Sequence, residues 1–526
     1  MKFKEYVSGF FQVPFRKKCL LAAVFSLLVL PAIAFAADDI QQRDIKDVKE
    51  LLRQAGKLTR KGELAEAEKV LRRALATFPR HKTVKLDLAY LLLKQKQLRP
   101  AYDLAYEVAK DDPKNSYAFA ILGAAYLTAG NFSEAKVLLI NSISLNRKEA
   151  LAWAGLGMLD FYENRIFTGL DNLREAVYYD SKEPDFVFTY AQVAARAEEY
   201  KEAAQAYERF LQISPRTDTE RRDRIKGLVR FLNFLGNQQS LYDVGGDEKI
   251  VVPVTLMNDR PIIELKINGK KKPLKFVLDT GSGISVISQK TAEELNINSV
   301  ARGGLARAIG GDGKFEIVYG FLKKVDIGGV RIANVPVYIR KFHNKNEDVD
   351  GYIGLSLISK FLTTIDYGSL TFSLTTKDSV ESPKPENEKV TLPLRLTSSG
   401  FLSGEVRLEG VKDSLNFIVD TGASISVISD DVAGLEEIRG FVREEKMRVI
   451  GAAGITEDVS AYLLPRVTFG SHSREQIKAI ALDLDIINEA SGFEQAGILG
   501  GNFLKNYRVT FDFQNSRVLF VPISGR

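Results

Sequence analysis

A thirteen-residue phrase that occurs twice decides the fold: residues 276–288 read FVLDTGSGISVIS, and residues 417–429 read FIVDTGASISVIS. Nine of the thirteen positions are identical, and the other four exchange one small or aliphatic residue for another. Each phrase is an apolar run that ends in Asp-Thr-Gly and continues as alternating apolar and Ser positions. This pattern predicts a buried strand, a tight glycine turn and a second strand. Two equivalent turns that each present a carboxylate are what an acid–base dyad needs.

The similarity between the two halves extends beyond this phrase. In each half, a turn glycine stands ten residues before the Asp, and a glycine-rich segment begins thirty residues after it. A later apolar-apolar-Gly triplet precedes a further Asp by twelve residues, counted from its Gly. These features are Gly269 and Gly410, residues 309–313 and 450–454, and the triplets Tyr352-Ile353-Gly354 and Ile498-Leu499-Gly500. The sequence therefore predicts an internal duplication with two equivalent β lobes.

The duplication sets the predicted domain boundaries. Period-two alternation begins at Ile250, so we expect lobe 1 over residues 250–376 and lobe 2 over residues 390–526. Residues 377–389, rich in charge, Ser and Pro, are predicted to link the lobes. Residues 237–249 are polar with a Gly-Gly pair and are predicted to link lobe 1 to the preceding region.

Residues 48–217 repeat with a period of 34. A small residue is followed four positions later by a second apolar one, and a turn residue stands five positions before it. The pairs are Ala67/Leu71, Ala101/Ala105, Ala135/Leu139, Gly169/Leu173 and Ala203/Tyr207, and the turn residues are Gly62, Lys96, Gly130, Asn164 and Glu198. Two helices per unit approach closely only where side chains are small. The pattern resembles the tetratricopeptide repeat and predicts a solenoid over residues 48–236, with five repeats and a capping helix.

The first 36 residues are typical of an export signal. Arg16-Lys17-Lys18 precede an apolar stretch, Pro31 interrupts it, and Ala34-Phe35-Ala36 is a small-x-small cleavage site. We expect residues 1–36 to be removed, residues 37–47 to form a short N-terminal segment, and the protein to be periplasmic or secreted. The alternative is an uncleaved membrane anchor, because residues 19–37 carry no charge.

Composition argues against several other functions. Residues 1–36 contribute +4 of the formal net charge of +6, so the remainder gives no electrostatic support for nucleic-acid binding. The one cysteine, Cys19, lies in the signal segment, so disulfides, a Cys nucleophile and thiolate metal sites are not expected. His81, His343 and His472 are widely separated and are predicted to be surface residues, so neither a metal site nor a Ser-His-Asp triad is predicted.

On the Asp-Thr-Gly phrases and the apolar-apolar-Gly triplets, residues 250–526 resemble the aspartic peptidases of the pepsin and retroviral protease group. They are most similar to fused tandem lobes of the retroviral type, as in bacterial aspartyl protease families. The resemblance implies a multidomain protein in which an all-α tetratricopeptide solenoid precedes an all-β bilobal peptidase. It also implies a catalytic pair, Asp279 and Asp420, and a glycine-bearing flap on each lobe.

The resemblance carries further residues with it. The active-site loops would be supported by Thr280, Gly281, Ser282, Thr421, Gly422 and Ala423, and the flap or substrate-binding residues would be Ile309, Gly310, Gly311, Gly313, Ile450, Gly451 and Gly454. The two Thr hydroxyls would tie the loops together, and Ser282 could bond the outer oxygen of Asp279. Because Ala423 cannot do the same for Asp420, the two acids should not be equivalent.

The expected function is that of an exported aspartic endopeptidase that hydrolyses peptide bonds with a water activated by the two Asp, without metal or cofactor. The repeats would bind a protein partner or substrate, or would serve as a spacer or dimerisation element. The alternative for the whole protein is a non-catalytic peptide-binding or scaffold protein. We expect the lobes to pair within one chain, since the fourteen residues from Thr376 to Lys389 reach about 45–50 Å and a dimer would have to overcome association entropy.

Overall fold

The structure is a computed structural model that describes residues 32–238, 240–311, 313–343, 348–377 and 391–523. Residues 1–31 of the predicted signal, Asp312 of the first glycine-rich segment and all but Lys377 of the predicted interlobe linker lie outside the described residues. The predicted cleavage site at Ala36 falls within the backbone of the first helix. In the part of the chain described here, no helix is both long and apolar enough to cross a membrane.

The described chain begins with a run of antiparallel helices. They are α1 (Ala32–Lys61), α2 (Leu64–Thr77), α3 (Lys82–Lys94), α4 (Leu98–Asp111), α5 (Ser116–Thr128), α6 (Phe132–Leu145), α7 (Ala150–Tyr162), α8 (Ile166–Tyr179), α9 (Pro184–Arg196), α10 (Tyr200–Ile213) and α11 (Thr219–Leu235). The helices α1 to α10 form five pairs, and α11 packs against the last of them. The predicted solenoid is confirmed, and α1 extends back through the segment 37–47 instead of beginning at residue 48.

Local chemistry explains the pairing. The five predicted turn residues between paired helices all have left-handed backbone angles, with φ between 59° and 78°. Within pairs, the helices touch at small residues: a Cβ placed on Gly157 would lie 2.9 Å from the carbonyl oxygen of Gly169, and one on Gly169 would lie 2.7 Å from that of Gly157. The 34-residue pattern therefore encodes turns and close helix contacts.

The array is wound tightly enough for its ends to meet. Thr217, just after the fifth pair, donates its hydroxyl to the carbonyl oxygen of Lys61 in the first pair, at 3.2 Å. Lys94 of the second pair lies 2.6 Å from a carboxylate oxygen of Glu183 and 2.7 Å from one of Asp185 in the fifth pair. These contacts connect repeats that are not neighbours in sequence.

Two β lobes follow. Lobe 1 contains β1 (Asp243–Gly246), β2 (Lys249–Pro253), β3 (Thr255–Met257), β4 (Arg260–Ile267), β5 (Leu274–Leu278), β6 (Val286–Ser288), α12 (Gln289–Glu294), β7 (Ala301–Arg307), β8 (Lys314–Ile327), β9 (Val330–Arg340), β10 (Gly351–Ile353), α13 (Leu355–Ile358), β11 (Phe361–Asp366) and β12 (Thr371–Thr376). The predicted linker 237–249 is partly wrong, because β1 lies inside it and pairs antiparallel with β9.

Lobe 2 repeats this order. It contains β13 (Thr391–Pro393), β14 (Arg395–Leu396), β15 (Leu402–Leu408), β16 (Leu415–Val419), β17 (Ser426–Ser429), α14 (Asp430–Ala433), α15 (Glu436–Arg439), β18 (Val442–Ile450), β19 (Ile455–Phe469), β20 (His472–Leu482), α16 (Asp485–Ser491), β21 (Gly497–Leu499), α17 (Gly501–Leu504), β22 (Tyr507–Asp512) and β23 (Arg517–Pro522). The prediction that His472 is a surface residue is wrong, since it is buried beside the rings of Tyr507 and Phe520.

Each lobe has its own sheet, and a third sheet joins them. The sheet of lobe 1 has the order β1-β9-β6-β10-β5-β4-β8-β7, and that of lobe 2 has the order β14-β15-β16-β21-β17-β20-β19-β18. The joining sheet, β13-β23-β22-β11-β12-β2, takes three strands from each lobe. Its centre is the antiparallel pair β11–β22, in which Thr363 lies opposite Phe511. The lobes therefore pair within one chain.

The repeats pack directly on both lobes. Phe493 of lobe 2 is buried in the core of the repeats, 5.0 Å from the ring of Phe132 and 4.9 Å from that of Tyr162. In the opposite direction, Phe231 of α11 stacks on Tyr319 of lobe 1 at 4.5 Å. The repeats and the β lobes thus share apolar cores.

Several turns of the repeats also dock on the lobes. The side-chain amide of Asn164 donates to the carbonyl oxygen of Phe513 at 2.9 Å, and Glu198 forms an ion pair with Lys360. Lys96 reaches the carbonyl oxygen of Asn488 at 3.4 Å. The residues that reverse the chain inside the repeats therefore also hold the repeats on the β region.

The close contact between α11 and β7 predicts that a larger side chain at Gly227 destabilises the protein. A Cβ on Gly227 would lie 2.6 Å from the carbonyl oxygen of Gly303, so Gly227→Ala should destabilise the protein by about 1–3 kcal/mol through overpacking. This should outweigh the ~1 kcal/mol by which Ala favours a helix. The control is Gly56→Ala in α1, where the nearest atom is 3.5 Å away at the end of a flexible Arg60 side chain.

Thermal unfolding of the two variants measures the difference. Gly227→Ala should lower Tm and make the connection between α11 and β1 more sensitive to limited proteolysis, whereas Gly56→Ala should leave Tm unchanged or raise it. Equal effects of the two substitutions would show that the close approach of α11 to β7 contributes nothing to stability.

Candidate active site

Asp279 and Asp420 follow directly after the central strands β5 and β16. Each of these strands pairs in parallel with the short strand that carries the later apolar-apolar-Gly triplet, β10 in lobe 1 and β21 in lobe 2. The backbone N–H of Asp279 donates to the carbonyl oxygen of Ile353, and that of Asp420 donates to the carbonyl oxygen of Leu499, both at 3.0 Å. The triplets therefore fix the backbone that presents the two carboxyl groups.

The two Asp-Thr-Gly turns are tied together by their threonines. The Thr280 hydroxyl donates to the carbonyl oxygen of Val419 at 2.7 Å and accepts from the Thr421 N–H at 3.1 Å. The Thr421 hydroxyl makes the reciprocal pair of bonds, to Leu278 at 2.7 Å and from the Thr280 N–H at 3.1 Å. Both side chains are fully buried. The cross-linking that the resemblance implied is present within the chain.

The glycines bring the two acids together. The N–H of Gly281 donates to Asp279 Oδ1 at 2.9 Å, and that of Gly422 donates to Asp420 Oδ1 at 2.8 Å. A Cβ on Gly281 would lie 2.4 Å from Cγ of Asp420, and one on Gly422 would lie 2.7 Å from Cγ of Asp279. Each loop therefore needs glycine because the opposite carboxyl group occupies the space of a side chain.

The environment raises the pKa of both carboxyl groups. Burial, the negative charge of Asp420 and a hydrogen bond with it raise the pKa of Asp279 well above that of a free carboxyl. Burial also raises the pKa of Asp420, opposed by the hydrogen bond with Asp279 and by N–H donors from Gly422, Ala423 and Gly281. Burial and the closeness of the two carboxyl groups therefore favour a bound proton in this pair.

The bond that the resemblance implied between Ser282 and Asp279 is not observed. The Ser282 hydroxyl donates to the carbonyl oxygen of Ile284 at 2.8 Å and not to Asp279. Each carboxyl group instead receives a backbone N–H from the glycine of its own loop. The missing hydroxyl of Ala423 therefore does not leave Asp420 without a donor.

Two serines of these loops, Ser285 and Ser426, were not predicted from the sequence as site residues. The hydroxyl of Ser285 accepts from the N–H of Gly354, and the hydroxyl of Ser426 accepts from the N–H of Gly500, both at 3.1 Å. Both serines lie in the duplicated phrase at the same distance from the Asp, so their identity in the two halves was the available signal. They lock each triplet to the loop that carries the acid.

Both glycine-rich segments form hairpin tips that meet each other. One lies between β7 and β8, and the other lies between β18 and β19. The Ala453 N–H donates to the carbonyl oxygen of Ile309 at 3.0 Å, and the Gly311 N–H donates to that of Ile455 at 3.3 Å. The predicted flap residues are therefore brought together in a closed pair.

Glycine is required where the tips cross. A Cβ on Gly310 would lie 2.2 Å from the carbonyl oxygen of Gly454, and one on Gly451 would lie 2.1 Å from that of Ile309. Gly310, Gly311, Gly313 and Gly454 also have positive φ angles. Ile309 packs on an apolar cluster of lobe 2 that includes Ala423, next to Asp420. The tip of flap 1 therefore extends toward the acid of the other lobe.

The two flaps have different surroundings. The strand β7 of flap 1 lies against α11, where a Cβ on Gly304 would lie 2.7 Å from the carbonyl oxygen of Arg224. The corresponding strand of flap 2, β18, is exposed along most of its length. The repeats therefore support one flap and leave the other open to solvent on that side.

The threonine bonds predict a second stability effect. Thr280→Val keeps the shape of the side chain but leaves the Val419 carbonyl and the Thr421 N–H without partners in a buried site. At ~1–3 kcal/mol for each of the two unpaired groups, the loss of unfolding free energy should be on the order of 2–6 kcal/mol. Thr280→Ser retains the hydroxyl and is the control, and denaturant unfolding compares the two. A Val variant as stable as the Ser variant would contradict this role.

Comparison with known proteins agrees with this geometry. Residues 263–357 and 404–503 match a family model described as aspartyl protease. Residues 58–105 and 155–216 match two models described as tetratricopeptide repeat. No curated protein matches the chain.

Solved structures resemble the two regions separately. An aspartic proteinase from Irpex lacteus is 16% identical, with 52% of this chain and 98% of that chain covered, at a TM-score of 0.35. A thermophilic tetratricopeptide-repeat protein of Thermus thermophilus is 19% identical, with 33% of this chain and 95% of that chain covered, at a TM-score of 0.29. A MamA fragment from Desulfovibrio magneticus is 18% identical, with 32% of this chain and 94% of that chain covered, at a TM-score of 0.23.

These TM-scores are too low to support a fold by themselves. The similarity to aspartyl proteases and to tetratricopeptide-repeat proteins is given by the family models, and the duplicated Asp-Thr-Gly loops agree with it. The chain combines N-terminal tetratricopeptide repeats with a two-lobed β region of the aspartyl protease type.

Proposed function

We propose that the protein is an aspartic endopeptidase in which Asp279 and Asp420 are the catalytic pair. The observation that supports this most strongly is the pair of loops locked together by Thr280 and Thr421, in which each carboxyl group lies against the glycine of the opposite loop. A buried pair of like charges is unfavourable unless one proton is shared, and a shared proton supplies an acid and a base in one site. The pair is formed within a single chain.

The pair divides the work between an ionised and a protonated member. The ionised carboxylate acts as the general base and takes a proton from the attacking water. The protonated carboxyl is the general acid that donates to the oxygen of the substrate carbonyl. As the tetrahedral intermediate collapses, the carboxyl group that took the proton from water passes it to the leaving amine, the other carboxylate recovers a proton from a hydroxyl of the intermediate, and the C–N bond breaks. Because the protons exchange within the dyad, the measured pKa values belong to the pair.

The flaps would close over the bound peptide. In the observed arrangement their tips are hydrogen-bonded to each other, so a substrate must separate them before reaching the acids. Once closed, they exclude bulk water and strengthen the electrostatic interactions in the site. A side chain in place of Gly310 or Gly451 would block this crossing.

We further propose that the protein is exported to the periplasm or secreted, on the basis of the basic and apolar N-terminal segment and its small-x-small site. The repeats would bind a protein partner or a protein substrate, since solenoids of this type present extended surfaces. Because they pack on both lobes, they also form part of the peptidase unit.

The dyad proposal predicts the effect of removing either acid. Asp279→Asn and Asp420→Asn should each reduce hydrolysis of a mixed peptide library to background, because neither leaves both an acid and a base. The folded state should persist, so far-ultraviolet circular dichroism should not change. As a matched control, Asp366→Asn changes a carboxylate that caps the turn at Gly368 and Ser369, and it should retain turnover.

Mixing the two inactive proteins tests the pairing. Because each site is formed within one chain, the mixture should stay inactive. Recovery of activity, or near-normal turnover by either single variant, would contradict the proposal. A wild-type protein that binds peptides without cleaving them would instead favour a non-catalytic binding protein.

The raised pKa values predict a bell-shaped dependence of activity on pH. Activity should rise as the first carboxyl of the dyad ionises and fall when the second loses its proton, at a pH above the usual carboxyl range. Activity that increases steadily into alkaline pH, or loss of activity with a metal chelator, would point to different chemistry.

The raised pKa of Asp279 also makes the stability of the folded protein depend on pH. The folded pKa of Asp279 is raised, so its contribution to stability is complete below the pKa of the unfolded chain and is lost as pH rises through the folded value. Asp420→Asn removes the neighbouring charge and should lessen this loss. The difference in Tm between the variant and the wild type should therefore grow from about pH 4 to about pH 8. A constant difference would show that the acids do not interact.

A further inference from the structure

The two lobes have different types of side chain at equivalent positions of the strands that follow the acids. Ser288 and Ser429 each lie nine residues after their Asp, in β6 and β17. In lobe 1, Ser288 pairs in parallel with Arg340, and in lobe 2, Ser429 pairs in parallel with Leu482. The register therefore places a cation in lobe 1 at the position of an aliphatic residue in lobe 2.

Two further positions differ between the lobes. Phe342, two residues after Arg340, corresponds to Leu484, two residues after Leu482. In the apolar-apolar-Gly triplets, Tyr352 corresponds to Ile498. In lobe 2, Leu484 and Ile498 are buried in an aliphatic cluster that also contains Leu482. We call Leu482, Leu484 and Ile498 the aliphatic wall, and Arg340, Phe342 and Tyr352 the arginine wall.

The arginine wall holds its guanidinium among rings. The guanidinium carbon of Arg340 lies 5.3 Å from the ring centre of Phe342, 5.9 Å from that of Tyr352, and 5.4 Å from that of Phe315 on β8. Three aromatic faces around one guanidinium restrict its orientation, and a guanidinium carries five N–H donors in one plane, a geometry that matches a carboxylate.

Both walls lie on or just after strands next to the loops that carry the acids. The aliphatic wall belongs to a cluster against which Ala423, three residues after Asp420, and Ile309 from the tip of flap 1 both pack. In lobe 1, Tyr352 immediately precedes Ile353, whose carbonyl holds the backbone of Asp279, and Phe315 is part of flap 1. The positive charge of Arg340 also acts on Asp279, lowering its pKa against the larger effects that raise it.

We propose that Arg340 is a specificity-determining residue, so that the lobe 1 half of the cleft takes a peptide side chain with a carboxylate and the lobe 2 half takes a branched aliphatic side chain. This inference rests on the proposed peptidase function. A guanidinium bonds a carboxylate through two parallel N–H donors, and the surrounding rings contact the methylene groups of a Glu side chain. The aliphatic wall offers no partner for a charge, so burying one there would be costly.

The two walls also imply a direction for the substrate. Because only lobe 1 carries the cation, a peptide with one acidic and one aliphatic residue around the scissile bond has one favoured orientation. The asymmetry would therefore select both the sequence and its polarity. A symmetric pair of apolar walls would accept either orientation.

Cleavage and binding test the proposal separately. Two pools of peptides contain Val, Ile, Leu and Ser and differ only in having Glu or Gln at one position. Wild-type protein should cleave the Glu pool about tenfold faster or more, with aliphatic residues on the other side of the cleaved bond. Binding of the same pools is measured by fluorescence polarisation on the inactive Asp279→Asn/Asp420→Asn protein, where Glu should again be favoured.

The key variant is Arg340→Leu, which copies the residue of lobe 2. It should abolish the preference for Glu over Gln in both measurements and increase the cleavage and binding of aliphatic peptides. Arg340→Lys keeps the positive charge and should retain only part of the preference for Glu. Arg331→Leu, the same substitution on an exposed part of β9, is the control and should behave as wild type.

The outcomes separate this inference from the peptidase proposal. Binding that prefers Glu and depends on Arg340, without any cleavage, would support the arginine wall and overturn the peptidase proposal. Cleavage with no difference between the Glu and Gln pools, or a Glu preference that survives in Arg340→Leu, would overturn the arginine wall and leave the peptidase proposal standing.

Discussion

The reciprocal hydrogen bonds between Thr280 and Thr421 are the constraint on which the rest of the site depends. They use buried hydroxyls to join the two loops, and the loops carry carboxyl groups that would otherwise repel each other. The glycines then become obligatory, because the opposite carboxyl fills the space of a side chain. The raised pKa of Asp279 follows from the same closeness. The bonds that hold the loops together therefore keep the two carboxyl groups close enough for each to influence the pKa of the other.

The interlobe sheet makes this arrangement possible in one chain. Three strands from each lobe form a continuous sheet, and β11 pairs with β22 at its centre. The two lobes can then diverge, since neither has to pair with an identical copy of itself. Divergence is visible at the walls of the cleft, where Arg340 and Leu482 occupy equivalent register positions. A duplicated chain can therefore have unlike sides around a nearly symmetric dyad.

The repeats are structurally part of the β region. Phe493 enters their core, and Phe231 of α11 stacks on Tyr319. Because α11 covers the outer strand of flap 1 and leaves β18 exposed, the two flaps differ in support although their tips are alike. The repeats thereby add a second asymmetry to the duplicated lobes.

The sequence by itself determined the elements whose chemistry is local. Spacing and residue type were enough for the left-handed turns of the repeats, such as Asn164, for the Asp-Thr-Gly loops and for the glycine-rich hairpin tips. Contacts between distant residues could not be read in this way. The bond from Ser282 to Ile284, the strand β1 inside an apparent linker and the burial of His472 depend on neighbours that only folding brings together. The docking of α11 on flap 1 and the ring-lined position of Arg340 were likewise decided by tertiary structure, because one sequence carries no signal that pairs residues so far apart.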